Sequence, residues 1–192
     1  PVFKNQVTTG TGEKESLGIG VIALNQETTD KYQAVVDYLN KYSDDKWHLV
    51  PQKDYGSFIS QVRTGQIQAG FMGSAVAYRL IRDGVVMPLV RGESKGIADY
   101  YGYIFTRKDS GLGKIEDLAG KKFAYVDIYT SAGYFFPRAL LVSKGFDPEN
   151  FFKLVSFLDS HDKAILAVLS GEYDGGAAKD SAWRKLAGQD PG

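Results

Sequence analysis

Two hydroxyl side chains stand where a buried strand gives way to a helix. The apolar run Phe123–Val126 is typical of a buried strand, and after a short turn Thr130 and Ser131 begin a helical pattern that extends to about Lys144. The first turn of a helix leaves its backbone N–H groups without intrahelical acceptors, so these groups and the two hydroxyls could together bind an anion. The alternative is that Thr130 or Ser131 only caps the helix.

His161 is the second candidate, at the start of another predicted helix in the run Ser160-His161-Asp162. Either ring N–H of His161 could donate to an oxyanion, whereas the structural alternative is a solvated or capping histidine. The three residues do not form a catalytic triad, because neighbours in sequence do not face one another on a helix.

The composition excludes several classes of function. Lys plus Arg and Asp plus Glu number 23 each among 192 residues, so the chain lacks the basic excess expected of a nucleic-acid binder. There is no cysteine, and neither His48 nor His161 has a second metal ligand at helical spacing. No phosphate-binding loop is present either. From these observations together we expect no nucleic-acid partner, no metal and no cofactor.

Strand and helix patterns alternate along the chain, which predicts an α/β fold with mainly parallel sheets. Strands are predicted over Leu17–Leu24, Trp47–Val50, Ile67–Met72, Val85–Val90, Lys122–Asp127, Lys153–Leu158 and Tyr173–Ala178. Helices are predicted after a cap at Thr28 or Thr29, from Asp54 to Gly65, and over Ser74–Arg82, Ile115–Leu118, Thr130–Lys144, His161–Leu169 and Ser181–Ala187. Pro137 should kink its helix or detach the first turn.

The pattern divides into a flexible leader over residues 1–16, a first α/β lobe over 17–99 and a second over 100–192. The extended run Tyr100–Thr106 is predicted to cross between the lobes. A weak repeat relates the lobes, since Val62–Gly70 matches Val168–Gly176 at an offset of 106 residues (168 minus 62). The same offset pairs Tyr55 with His161, and both follow a predicted strand. Because ligands in open α/β sheets bind beyond the carboxyl ends of strands, we expect both residues to face one ligand cleft.

These residues resemble the phosphonate- and phosphite-type periplasmic substrate-binding proteins of ABC transporters. The resemblance covers almost all of Leu17 to Trp183 and rests on motifs in a specific order. They are Asp54-Tyr55, Gly65–Gly70, Pro88–Gly92, Tyr100 before Arg107–Gly111, Asp117–Lys121, Thr130–Tyr134 with Pro137, and Ser160–Asp162.

The resemblance implies a type II periplasmic-binding fold, with two lobes that close about a hinge on a small tetrahedral oxyanion, and a membrane permease as partner. Thr130 and Ser131 would hold the ligand oxygens, His161 would donate from the same lobe, and Tyr55 would reach from the first lobe. Tyr100 and Ser74 would line the cleft. The implied location is the periplasm or the outer face of the membrane, and a lipid anchor on a missing N-terminal segment is a further expectation.

Departures from the family pattern affect these expectations. Ala132 stands where relatives often carry another hydroxyl. Relatives that bind aminoalkyl phosphonates carry carboxylates in the second lobe; Asp180 is the nearest candidate here, although Ser181 occupies the position where such a carboxylate is first expected. The second crossing and the C-terminal return to the first lobe are also missing, which predicts a truncated or abbreviated chain.

Two alternatives to a transport function remain: a ligand-sensing extracellular domain of a signalling receptor and a small-molecule enzyme on this fold.

Overall fold

A computed structural model describes residues 15–93, 96 and 98–189. The chain divides into two compact units, Pro1–Met72 and Gly73–Gly192. Residues 73–99, which the sequence analysis assigns to the first lobe, therefore group with the second unit, and the boundary at residue 99 stays a prediction. Most of the predicted leader, residues 1–14, lies outside the described residues.

The described part of the first unit is a three-stranded parallel sheet with two helices. Its elements are β1 (Leu17–Ile22), α1 (Gln26–Tyr42), β2 (Trp47–Gln52), α2 (Tyr55–Arg63) and β3 (Ala69–Phe71), and the strand order is β2-β1-β3.

Close contact between α2 and the sheet depends on glycines in the strands. A Cβ atom at Gly20 would lie 2.7 Å from Ile67 Cδ1, and one at Gly70 would lie 2.9 Å from the ring of Phe58, which is fully buried. Only a strand without side chains at these points lets the Phe58 ring lie against it.

The second unit begins with α3 (Ser74–Arg82) and contains a four-stranded mixed sheet. Its other elements are β4 (Gly102–Thr106), β5 (Lys122–Tyr125), α4 (Phe136–Ser143), β6 (Leu154–Phe157), α5 (His161–Leu169), β7 (Gly175–Lys179) and α6 (Asp180–Gln189). The strand order is β4-β7-β5-β6, with β4 antiparallel to β7 and the other pairs parallel. The predicted short helix Ile115–Leu118 is present as a 3-10 helix.

The strand β5 is buried on both faces, as expected for the centre of a parallel sheet. Phe123 and Tyr125 belong to one hydrophobic cluster with Leu141 of α4, while Ala124 belongs to a second cluster with Val168 of α5. The alternation of side chains along the strand therefore anchors one helix on each side of the sheet.

A wide π-helical turn, Ser131–Phe135, precedes α4, which confirms the predicted distortion of the first turn near Pro137. Pro137 has no N–H and cannot donate to the Gly133 carbonyl in the α-helical pattern. That carbonyl accepts instead from the N–H of Val126, at 3.2 Å. A Cβ atom at Gly133 would lie 2.5 Å from Val126 Cβ, so the turn requires glycine here.

The internal repeat is confirmed in the order of the elements. At the offset of 106 residues (161 minus 55), α2 coincides with α5, and the strand order β2-β1-β3 of one unit corresponds to β6-β5-β7 of the other. Each unit thus repeats the same βαβ arrangement.

Two local predictions were wrong. Val85–Val90 forms no strand: Leu89 and Val90 are 76% and 85% exposed, and no described strand pairs with this segment. An apolar run forms a strand only where a neighbour supplies hydrogen bonds, which the sequence pattern does not reveal. The first helix begins earlier than predicted, because Asn25, not Thr28 or Thr29, is its N-cap and accepts from the Thr28 N–H at 2.9 Å.

None of the described helices has the length and hydropathy needed to cross a membrane.

Candidate functional site

One edge of the second unit's sheet gathers most of the residues predicted to bind a ligand. Because β5, β6 and β7 are parallel, their carboxyl ends meet at this edge, and antiparallel β4 begins there, opposite the end of β7. The predicted residues next to these strand ends are Thr130, Ser131 and Ala132 after β5, His161 after β6, Asp180 after β7 and Tyr100 before β4.

Thr130 is buried, but its hydroxyl already has an acceptor. The Oγ1 atom donates to the Asp127 carbonyl at 2.7 Å, and the N–H of Thr130 donates to the same carbonyl at 3.0 Å. The hydroxyl does not cap the following turn. Thr130 therefore holds the loop between β5 and the helix, and its hydroxyl proton is occupied in this conformation.

Ser131 and the wide turn supply free donors. In an α-helix the Thr130 carbonyl would accept from Tyr134, but here it accepts from the N–H of Phe135 at 3.1 Å. The N–H groups of residues 131–134 thus precede the first intrahelical bond, one more than at an α-helical start. Ser131 is 8% exposed, and its hydroxyl makes no hydrogen bond within the described part of the chain.

Ala132 contributes a backbone donor and close packing. It is 3% exposed, and a Cβ atom at Gly102 of β4 would lie only 3.2 Å from Ala132 Cβ. The small side chain lets the helix start approach the beginning of β4. The position therefore offers its N–H but no hydroxyl.

His161 is fixed as a neutral donor. Its Nδ1 atom accepts from the backbone N–H of Lys179 at 3.1 Å, so in the neutral ring the proton resides on Nε2. Burial, assisted by the positive charge of Lys179 and opposed by Asp162, lowers the pKa of His161 to about 4. Near neutral pH the ring can donate from Nε2 without carrying a charge.

Asp180 is 2% exposed and forms an ion pair with Arg184, one turn along α6. Its Oδ2 atom is the acceptor, whereas the buried Oδ1 atom has no hydrogen-bond partner among the described residues. The carboxylate predicted to recognise an amine is therefore already next to one cation.

Tyr100 links three elements at this edge. Its hydroxyl donates to Oγ of Ser74, the first residue of α3, at 3.4 Å, and the Lys179 ammonium lies 4.4 Å from the centre of its ring. Ser74 therefore also lies near the edge. Lys179 was missed in the sequence because the predicted strand ended at Ala178, and the one signal for it was its position immediately before Asp180.

Tyr55 belongs to the first unit. It is the first residue of α2, directly after the N-cap Asp54, whose carboxylate accepts from the Ser57 N–H at 2.7 Å. It follows β2, at the carboxyl end of the first unit's parallel sheet. Its participation in a ligand site stays a prediction.

Other features of the described residues suggest no second site for an ion. No group of three or more His, Asp or Glu side chains that could hold a metal is found within residues 15–93, 96 and 98–189. A groove of about 390 Å³ lies between β4 and α4, but it is lined by Gly102, Tyr103, Ile104, Phe136, Pro137 and Leu140. These mostly apolar residues include none of the predicted ligand-binding residues.

Comparison with known proteins identifies relatives along nearly the whole chain. The model of one family, described as "ABC transporter, phosphonate, periplasmic substrate-binding protein", matches residues 19–192. The chain is 26% identical over 190 aligned positions to the phosphate-import protein PhnD of Mycolicibacterium smegmatis, and the match covers 93% of this chain. The chain spans only 59% of that relative's length.

Solved structures show the same fold. PhnD1 of Prochlorococcus marinus, in complex with methylphosphonate, superposes with a TM-score of 0.76 at 22% identity, over 92% of this chain and 68% of PhnD1. A binding protein of an ABC phosphonate transporter from Pseudomonas aeruginosa gives 0.75 at 17% identity, over 92% and 61%. The predicted type II periplasmic-binding fold is therefore confirmed.

Proposed function

Because this chain belongs to the family of phosphonate periplasmic substrate-binding proteins of ABC transporters, we propose that it binds a small tetrahedral oxyanion for import. The ligand classes proposed are a phosphonate, a phosphite and a phosphate or its ester. A relative with 26% identity is a phosphate-import protein, and a protein of the same fold was solved with methylphosphonate. The proposed partner is a membrane permease, and the proposed location is the periplasm or the outer face of the membrane. Hinge closure and a lipid anchor stay predictions.

The observation that carries this proposal is the hydroxyl of the largely buried Ser131, which makes no hydrogen bond within the described residues and stands beside the free N–H groups of its wide helical turn. These donors have no acceptor within the described residues, so a ligand can accept their hydrogen bonds without displacing a protein partner. The helix start adds a partial positive charge, which favours an anion. Neutral His161 supplies a further donor from the adjacent strand end.

The proposed mechanism replaces the ligand's water shell with neutral donors. Hydroxyl, backbone and imidazole donors bind an anion without the strong bidentate grip of an arginine, which suits a protein that must later release its ligand. Micromolar binding would correspond to about −8 kcal/mol.

We further propose that the chain has no enzymatic activity of its own. Its family consists of transport-associated binding proteins, and a histidine held neutral with Nδ1 occupied by a backbone N–H is poorly arranged for proton transfer. Incubation with methylphosphonate or a phosphate ester, followed by phosphorus NMR, should show no product. Turnover by the purified protein would refute this part of the proposal.

Calorimetry tests the binding proposal directly. Phosphate, phosphite, methylphosphonate and 2-aminoethylphosphonate are titrated into the purified protein, and at least one should bind. A hydrogen bond to a charged group is worth about 1.5–3 kcal/mol, so Ser131→Ala should weaken binding roughly ten- to hundredfold.

Ser170→Ala is the matched control, because that hydroxyl donates to the Ala167 carbonyl at the far end of α5. It should leave affinity unchanged. Folded protein that binds none of the four ligands would overturn the proposed function, and equal affinities of the two variants would remove Ser131 from the site.

A further inference from the structure

Lys179 places a positive charge among the residues predicted to hold the ligand. It is the last residue of β7, in register with Gly102 of β4, and therefore stands at the edge where the strand ends gather. Its ammonium lies 4.4 Å from the centre of the Tyr100 ring, and its backbone N–H donates to Nδ1 of His161. One residue thus contacts two members of the predicted site through two different groups.

The ammonium is held by an aromatic ring and not by a carboxylate. No ion pair of Lys179 is found among the described residues, although salt bridges elsewhere in this unit join other cations to acids. The ring of Tyr100 is itself anchored, because its hydroxyl donates to Ser74. A cation on an aromatic face keeps most of its charge available, since the ring offers only partial compensation.

Other charged groups also lie near this edge. Asp180 is paired with Arg184, and Arg79 of α3 lies 5.5 Å from the centre of the Tyr129 ring, which adds a second cation near the helix start. Asp162 is the acidic group whose charge acts on His161. Asp159 follows β6, and Asp127 follows β5, where its carboxylate accepts from the Tyr129 N–H at 2.7 Å. Acids and cations are therefore mixed at this edge, and what distinguishes Lys179 is its contact with both Tyr100 and His161.

We propose that Lys179 determines ligand specificity at this site: its ammonium attracts oxyanions with uncharged substituents and repels those that carry an ammonium group. The inference rests on the proposed function and deepens it. A like charge held near a bound ligand disfavours the ligand with an amine, whereas the oxyanion itself gains an opposite charge. Methylphosphonate and phosphate are thus preferred over aminoalkyl phosphonates.

Calorimetry of the purified protein with methylphosphonate and 2-aminoethylphosphonate tests this inference. The natural sequence should bind methylphosphonate at least tenfold more tightly. Lys179→Met keeps the apolar stem and the backbone N–H to His161, so it should weaken methylphosphonate binding about tenfold and reduce the preference to less than threefold. Lys179→Arg keeps the charge and should retain the preference.

Lys153→Met removes the same charge at the opposite, amino end of β6 and should change neither affinity nor preference. Thermal melting establishes that each variant is folded. If Lys179→Met binds both ligands as the natural sequence does, the contact with Tyr100 is only structural and the inference is overturned. If folded natural protein binds neither these ligands nor phosphate and phosphite, the proposed function fails and the inference fails with it.

Discussion

Burial of the neutral His161 ring should make the protein less stable in mild acid. The ring is neutral in the folded state, with Nδ1 accepting from Lys179, and its pKa is lowered from 6.5 to about 4, chiefly by burial. Between these values the unfolded chain holds more protons at this position than the folded protein. Acidification therefore favours unfolding as the pH falls below 6.5, and the effect stops growing below about 4.

The magnitude follows from the difference between the two pKa values. The full shift of about 2.5 pH units corresponds to about 3 kcal/mol, of which about 2 kcal/mol is lost between pH 8 and pH 5. His161→Gln keeps an acceptor for the Lys179 N–H but does not titrate. This variant should therefore lack about 2 kcal/mol of the pH-dependent loss seen in the natural sequence.

Urea denaturation at pH 8 and pH 5 measures this difference, because carboxylates that titrate in both proteins cancel when the two losses are subtracted. Proton NMR in a His48→Gln background leaves only the His161 ring signals and should give a midpoint near pH 4. Nitrogen shifts should report an unprotonated Nδ1. A midpoint at or above 6.5, or equal pH-dependent losses in the two proteins, would refute the reasoning.

Three further predictions concern stability and are checked by urea denaturation. Gly133→Ala should destabilise the protein by about 2 kcal/mol or more, because its Cβ would overlap atoms 2.5 Å away, whereas Gly113→Ala meets nothing within 4 Å and should be nearly neutral. Asn25→Ala should lower the free energy of unfolding by about 1 kcal/mol through loss of the cap on α1, and Thr28→Ala should lower it little. A larger effect of Thr28→Ala than of Asn25→Ala would contradict the assigned cap. Tyr125→Phe should leave the free energy of unfolding unchanged or raise it by about 1 kcal/mol. The buried hydroxyl, whose pKa burial raises to about 12, has no hydrogen-bond partner among the described residues, and a large loss of stability would reveal one.

The fold was largely predictable because its pattern is local and repeated. Helices at Ser74–Arg82 and His161–Leu169 have the predicted bounds, and the α2–α5 correspondence follows the sequence repeat. These elements combine periodic apolar positions with turn signals, which act within a few residues. Val85–Val90 failed for the opposite reason, since a strand depends on a distant partner.

The sequence named the residues of the candidate site, which stay a prediction, but it could not give their hydrogen bonds. Strand-to-helix junctions can be read from sequence, so Ser131 and His161 could be named and their shared edge inferred. The sequence does not reveal which of these groups are free to bind a ligand. The Thr130 hydroxyl donates a hydrogen bond to the backbone carbonyl of Asp127. The wide turn that precedes Pro137 has one extra free N–H.

The sequence by itself determined the repeated α/β pattern and its family, because hydrophobic periodicity and ordered motifs are properties of the linear chain. The tertiary structure alone decided the state of the site. It joined the N–H of Lys179 to His161, which selects the neutral Nε2–H donor, and it laid the Lys179 ammonium on Tyr100. These contacts link residues far apart in sequence, and a burial-dependent pKa exists only once the chain has folded around the ring.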